Sequence, residues 1–125
     1  MSKPILCLDF DGVLHSYTSG WKGADVIPDP HVPGALEFLS DAVKQFRVAI
    51  YSSRSGQPGG IEAMQAWLHD RVTNHWDVEG EWLAEIEWPT EKPPALVTID
   101  DRAVTFTGQW PSVQSLLEFK PWNKR

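Results

Sequence analysis

The chain has 125 residues, 42% hydrophobic and 22% charged, which suits one globular domain, 1–125, able to bury a core without metal or disulfide staples. Its formal net charge of -6 argues against an extended nucleic-acid surface, which shows as a basic excess. Cys7 is the only cysteine, so no internal disulfide can form; the start MSKPILCLDF has no long apolar signal region and no stretch could span a membrane, so a cytoplasmic location is expected.

The run ILCL, residues 5–8, reads as a strand buried on both faces of a parallel sheet, with Cys7 a small buried hydrophobe. It leads into Asp9 and Asp11, two like charges whose repulsion and lost hydration call for a compensating partner. Residues 16–33 contain Gly20, Gly23 and three prolines and read as an irregular excursion or a small hairpin. DPHVPGALEFLSDAVKQF predicts a helix with Pro33 in its first turn and Leu36, Leu39, Ala42 and Val43 on one apolar face. RVAIYSS is a second buried strand, RSGQPGG a loop, and IEAMQAWLHDRV an amphipathic helix with Ile61, Met64, Trp67 and Leu68 inward.

Within residues 73–94, EWLAEIEW predicts a short helix running into a third strand near Ile86 and Trp88. TEKPP is a loop, because adjacent prolines do not sit in a central strand. ALVTID is a further strand, AVTFTG an edge strand, WPSVQSLLEF a final helix with Pro111 in its first turn, and KPWNKR a loose basic tail. The seven tryptophans read as core and rim packing. His15, His31, His69 and His75 have no metal-ligand spacing and read as surface or packing residues.

Strands alternating with helices make an α/β fold, a mostly parallel sheet flanked by helices, which binds ligands at the carboxyl edge of its strands. That edge collects Asp9 and Asp11, then Ser52, Ser53 and Arg54, then Lys92, then Asp100 and Asp101. Converging carboxylates with no His or Cys beside them describe an oxygen-ligand site for a hard cation, Mg²⁺ above all. A lysine and a hydroxyl nearby fit the phosphate oxygens with which Mg²⁺ shares its shell. Gly12 allows the sharp turn after the acids and aims backbone N–H groups at an anion. One carboxylate at a strand end can be a nucleophile, forming an aspartyl phosphate, while another two residues on handles the protons.

At these residues the chain resembles the haloacid dehalogenase-like (HAD) phosphatase superfamily. DFDGVL fits its first motif at Asp9, Asp11, Gly12, Val13 and Leu14; VAIYSS fits the second; Lys92 would be the motif-three lysine; VTIDD fits the fourth at Asp100 and Asp101. The resemblance implies a Rossmann-like core and a Mg²⁺-dependent phosphomonoester hydrolase. Asp9 would be nucleophile and metal ligand, and Asp11 the acid/base, binding the metal through its backbone carbonyl. Ser52, or Ser53 if the strand ends later, and Lys92 would hold the phosphoryl group. Asp100, Asp101 or both would complete the metal shell.

Lys92 stands only eight positions before Asp100, which leaves no room for the helix usual between those motifs. Residues 16–33 and 56–91 are too short or too occupied for a cap domain, so the resemblance is to capless members, associated with large substrates or closure by a partner subunit. SSRSG and IDDRA are also similar to the 3′-phosphatase domain of polynucleotide kinase–phosphatases, which would place Arg54 and Arg102 against substrate phosphate. Three readings follow: a phosphatase for a small or exposed phosphomonoester, favoured; a nucleic-acid end-processing phosphatase; and a non-catalytic HAD-fold binding module.

Overall fold

The computed structural model describes residues 3–76 and 80–124. Three short strands, β1 (Ile5–Leu8), β2 (Arg47–Ile50) and β3 (Val97–Ile99), form a parallel sheet in the order β2-β1-β3. The expected α/β architecture is therefore present, and the continuous apolar run ILCL occupies the central strand, where both edges are paired. Cys7 lies opposite Ala49 on one side and Thr98 on the other, buried as expected of a small hydrophobe.

Helix α1 (Ala35–Ala42) and helix α2 (Gly60–His75) supply the rest of the core. Leu36 and Leu39 of α1, and Met64, Leu68 and Val72 of α2, close on Leu6, Leu8, Val48 and Ile50 of the sheet. Pro33 and Gly34 precede α1, so the helix begins two residues after the proline predicted for its first turn. Ile61 and Trp67 are only partly buried against the core.

The third strand expected near Ile86 is reduced to one bridge, Ala49 with Glu87, on the outer edge of β2. Glu87 exchanges backbone hydrogen bonds with Val48 and Ile50, and its carboxylate takes both Nε and Nη2 of Arg47 at 2.9 and 2.8 Å. EWLAE forms the expected short helix as a 3-10 turn, Glu81–Glu85, while residues 77–79 of this stretch lie outside the described residues.

The C-terminal quarter departs from expectation. AVTFTG is not a strand, and the final helix, α3 (Val113–Leu117), is one short turn capped by the Ser112 side chain, with Pro111 outside it. β3 is itself exposed along its length. The tail, expected to be loose, docks: Pro121 is buried, the Trp122 indole N–H donates to the Gly12 carbonyl at 2.7 Å, and Asn123 donates to the Ser16 carbonyl. Residues 16–33 form a loop closed at its base, where Ser16 N–H donates to Pro30 O and Val32 N–H to Leu14 O. Among the described residues no helix is long and apolar enough to cross a membrane.

Candidate active site

Parallel pairing brings the carboxyl ends of β1 and β3 side by side, and the Asp9 N–H donates to the Ile99 carbonyl at 3.0 Å. That register places Asp9 against Asp100 and Asp101. One carboxylate oxygen from each of these three acids lies within 4.8 Å of the others. Burial pushes the Asp9 carboxyl up to about 8, aided by the charges of Asp100 and Asp101 and opposed by the Phe10 N–H, which donates to Asp9 Oδ1 at 2.8 Å. Burial also raises Asp101, whose Oδ1 is shut from solvent without a hydrogen-bond partner. Asp100 is exposed, and its Oδ1 accepts from the Arg102 N–H at 2.8 Å.

A crowded carboxylate set with an orphaned buried oxygen suits a hard, oxygen-seeking divalent cation, which would offset the repulsion among the three acids and supply the partner Asp101 Oδ1 lacks. Gly12 makes the crowding possible. Its φ is +81°, and a Cβ there would lie 2.1 Å from Asp101 Oδ2. Only glycine lets the β1 loop turn left-handed and admit that carboxylate.

Beside the acids is a cleft of about 290 Å³ lined by Asp9, Asp100, Lys92 and Tyr51, together with Cys7 and Thr98. The structure therefore brings the predicted nucleophile and the predicted lysine to one cavity, although Lys92 comes from a loop and not from a helix. Neither serine lines that cleft. Ser52 is buried, and its Oγ accepts from the Arg54 N–H at 3.1 Å, bracing the loop after β2. Ser53 is exposed, with its carbonyl taken by Gln57. Arg102 is exposed, its Nε 3.9 Å from Asp101 Oδ2.

No family model, curated protein or solved structure matches this chain.

Arg54 requires a correction. Expected to contact substrate, it is instead 0% exposed and turned inward. Its Nε donates to Asp11 Oδ2 at 2.9 Å and Oδ1 at 3.2 Å, and its Nη1 donates to the carbonyls of Gly23, Ala24 and Val26. The guanidinium lies 4.8 Å from the centre of the Trp21 ring, a cation–π contact that closes its outer side. The carboxylate and three carbonyls tie the loop to this arginine, the pairing that makes a buried charge tolerable, while its Nη2 is buried without a partner.

His15, read as a surface or packing residue, packs fully buried, and its Nδ1 lies 2.9 Å from Asp11 Oδ1, a partner that reading did not include. The signal available in the sequence was its spacing of four from Asp11 across a glycine turn. Gly12 N–H donates to His15 O, and Leu14 and His15 N–H donate to Phe10 O, which folds the ring back under Asp11. Tyr17 and Trp122 were also missed. Asp29 is buried, and although burial raises its carboxyl, hydrogen bonds from Ser19 and Thr18 outweigh that and hold it below the usual range. Tyr17 sits at φ 60° beside the site, its hydroxyl pushed up by burial and then by the Asp11 charge. Such strained backbone collects where surrounding structure is functionally constrained.

Proposed function

We propose that this protein is a Mg²⁺-dependent phosphomonoester hydrolase of the HAD type, working through an aspartyl phosphate on Asp9. The observation that carries this reading is the convergence of Asp9, Asp100 and Asp101 at the carboxyl edge of adjacent parallel strands, with Lys92 in the same cleft. Asp9, Asp100 and Asp101 would hold the ion, with the Asp11 backbone carbonyl as the fourth protein ligand the resemblance implies. When bound, a divalent cation supplies the positive charge that keeps Asp9 ionised and screens the phosphoryl oxygens.

The Asp9 carboxylate attacks phosphorus as the ester P–O bond breaks, and the leaving oxygen takes a proton from Asp11. Water then attacks the phosphorus of the aspartyl phosphate, giving its proton to Asp11 as Asp9 is released and inorganic phosphate departs. Lys92 adds positive charge at the phosphoryl oxygens. A capless member, as the resemblance implies, would suit a phosphate on an exposed or macromolecular group. The oligonucleotide reading rested on two arginines; with Arg54 buried, only Arg102 is exposed to support it. A binding module would need Asp11 only as the partner of Arg54 and would have no use for the Asp9 carboxylate crowded beside Asp100 and Asp101.

A hydrolysis screen with Mg²⁺ across nucleotides, phosphosugars and 3′-phosphorylated oligonucleotides tests the reading. Release of phosphate from at least one class is expected, abolished by chelator and restored by Mg²⁺ but not by Ca²⁺, whose longer and looser coordination spoils in-line geometry. Full activity in excess chelator would remove the metal from the mechanism.

A further inference from the structure

We propose that His15 is a positioning residue that, together with Arg54, fixes the Asp11 carboxylate in the orientation its proton transfers require; this rests on the phosphatase reading above. Asp11 sits on a loop, and an unrestrained aspartate there would sample several rotamers. Two buried donors from different parts of the chain remove that freedom. Arg54 Nε spans both carboxylate oxygens, and His15 Nδ1 reaches Oδ1 from below.

The ring of His15 is in turn held on every side. Phe10, Tyr17 and Trp67 lie against it with centroids 5.7, 5.9 and 5.6 Å away. The Asp29 N–H points at Nε2 at 3.1 Å, with Asp29 Oδ2 3.5 Å from the same nitrogen, and the accepting geometry at Nε2 assigns the ring proton of the neutral imidazole to Nδ1, facing Asp11. Trp67 of α2 fixes Asp29 by donating its indole N–H to the Asp29 carbonyl at 3.1 Å. The relay from α2 through Asp29 and His15 to Asp11 has a fixed direction of donation at each joint. The loop of residues 16–33 is thus the support on which the acid/base is mounted. The Arg54 bonds to carbonyls 23, 24 and 26 fasten the same loop from its other side.

An acid/base must meet the leaving oxygen within hydrogen-bond reach, and a misplacement near 1 Å costs on the order of a hundredfold in rate. Two esters separate positioning from general structural damage. An alkyl phosphate needs its leaving oxygen protonated; an aryl phosphate with an acidic phenol hardly does. His15→Phe, which keeps a packed ring and loses the donor, should lower kcat/KM for the alkyl ester about a hundredfold and for the aryl ester about tenfold or less. KM for the aryl ester should stay within about threefold, because Asp11 is not asked to bind the phosphoryl group. His15→Asn, whose amide N–H stands near the place of Nδ1–H, should recover part of the alkyl-ester loss.

Equal losses on both esters, or none on either, would overturn the proposal. Should the variants not fold, long-range proton–nitrogen NMR on the wild-type chain reads the tautomer directly. An Nδ1–H imidazole with an unprotonated Nε2 is expected, and an Nε2–H tautomer overturns the relay. If the wild-type chain hydrolyses neither ester, the phosphatase reading fails; the relay as a structural device then stands or falls on the NMR result, and its role in positioning an acid/base falls with that reading.

Discussion

Asp9 carries a heavy electrostatic load. Without a divalent cation, burial and then its acidic neighbours raise its carboxyl to about 8, whereas in the unfolded chain it ionises near the ordinary value of about 4. Folding therefore takes up a proton between those values. The associated stability is complete below about pH 4 and is lost as pH rises towards about 8, the reverse of the usual salt-bridged aspartate. Asp101, raised in the same direction, adds to the slope. Urea midpoints measured from pH 5 to 8 in chelator should fall with pH, and both Asp9→Asn and added Mg²⁺ should flatten the profile. A midpoint that rises with pH in chelator, or one unmoved by Asp9→Asn, would contradict this electrostatic account.

At the scale of elements, α2 and the loop after β2 are built against each other without slack. A Cβ at Gly60 would stand 1.9 Å from the Arg54 carbonyl oxygen, a backbone atom that cannot swing aside. Gly60→Ala should destabilise the protein by about 1–3 kcal/mol, the range for overpacking a filled interior, with the change read from urea unfolding. An unchanged midpoint would show that the two segments are not in register. The elements legible in the sequence are those whose pattern and burial agree. Leu6, Cys7 and Leu8 of ILCL, the Leu36 and Leu39 stripe, and Met64 with Leu68 are buried as their spacing implied. AVTFTG alternates correctly for a strand, yet Val104 and Phe106 are each 55% exposed. Strand preference is largely a preference for a half-buried pleated surface, and β3 beside it is exposed and offers none.

Across the whole molecule, the site is where the carboxyl ends of the strands meet. Its acids were legible because each lies directly after an apolar run that had to be a strand. Asp9, Asp100 and Asp101 follow from that register, and Lys92, in the loop before β3, from its match to the third motif. His15, Asp29 and Trp122 did not, because their roles depend on how residues 16–33 and the tail dock, which no periodicity encodes. Arg54 was misjudged for the same reason: a loop arginine reads as exposed until the loop that buries it is in place. The central claim, that Asp9 is phosphorylated during turnover, is tested most directly by acid-quenching the protein with Mg²⁺ and a substrate found in the hydrolysis screen, then mapping its peptides by mass spectrometry. A single phosphoryl group on Asp9 is predicted, absent in chelator and in Asp9→Asn, whose turnover should fall more than about a thousandfold. Turnover by Asp9→Asn within tenfold of wild type, or a phosphoryl group on another residue, would contradict it.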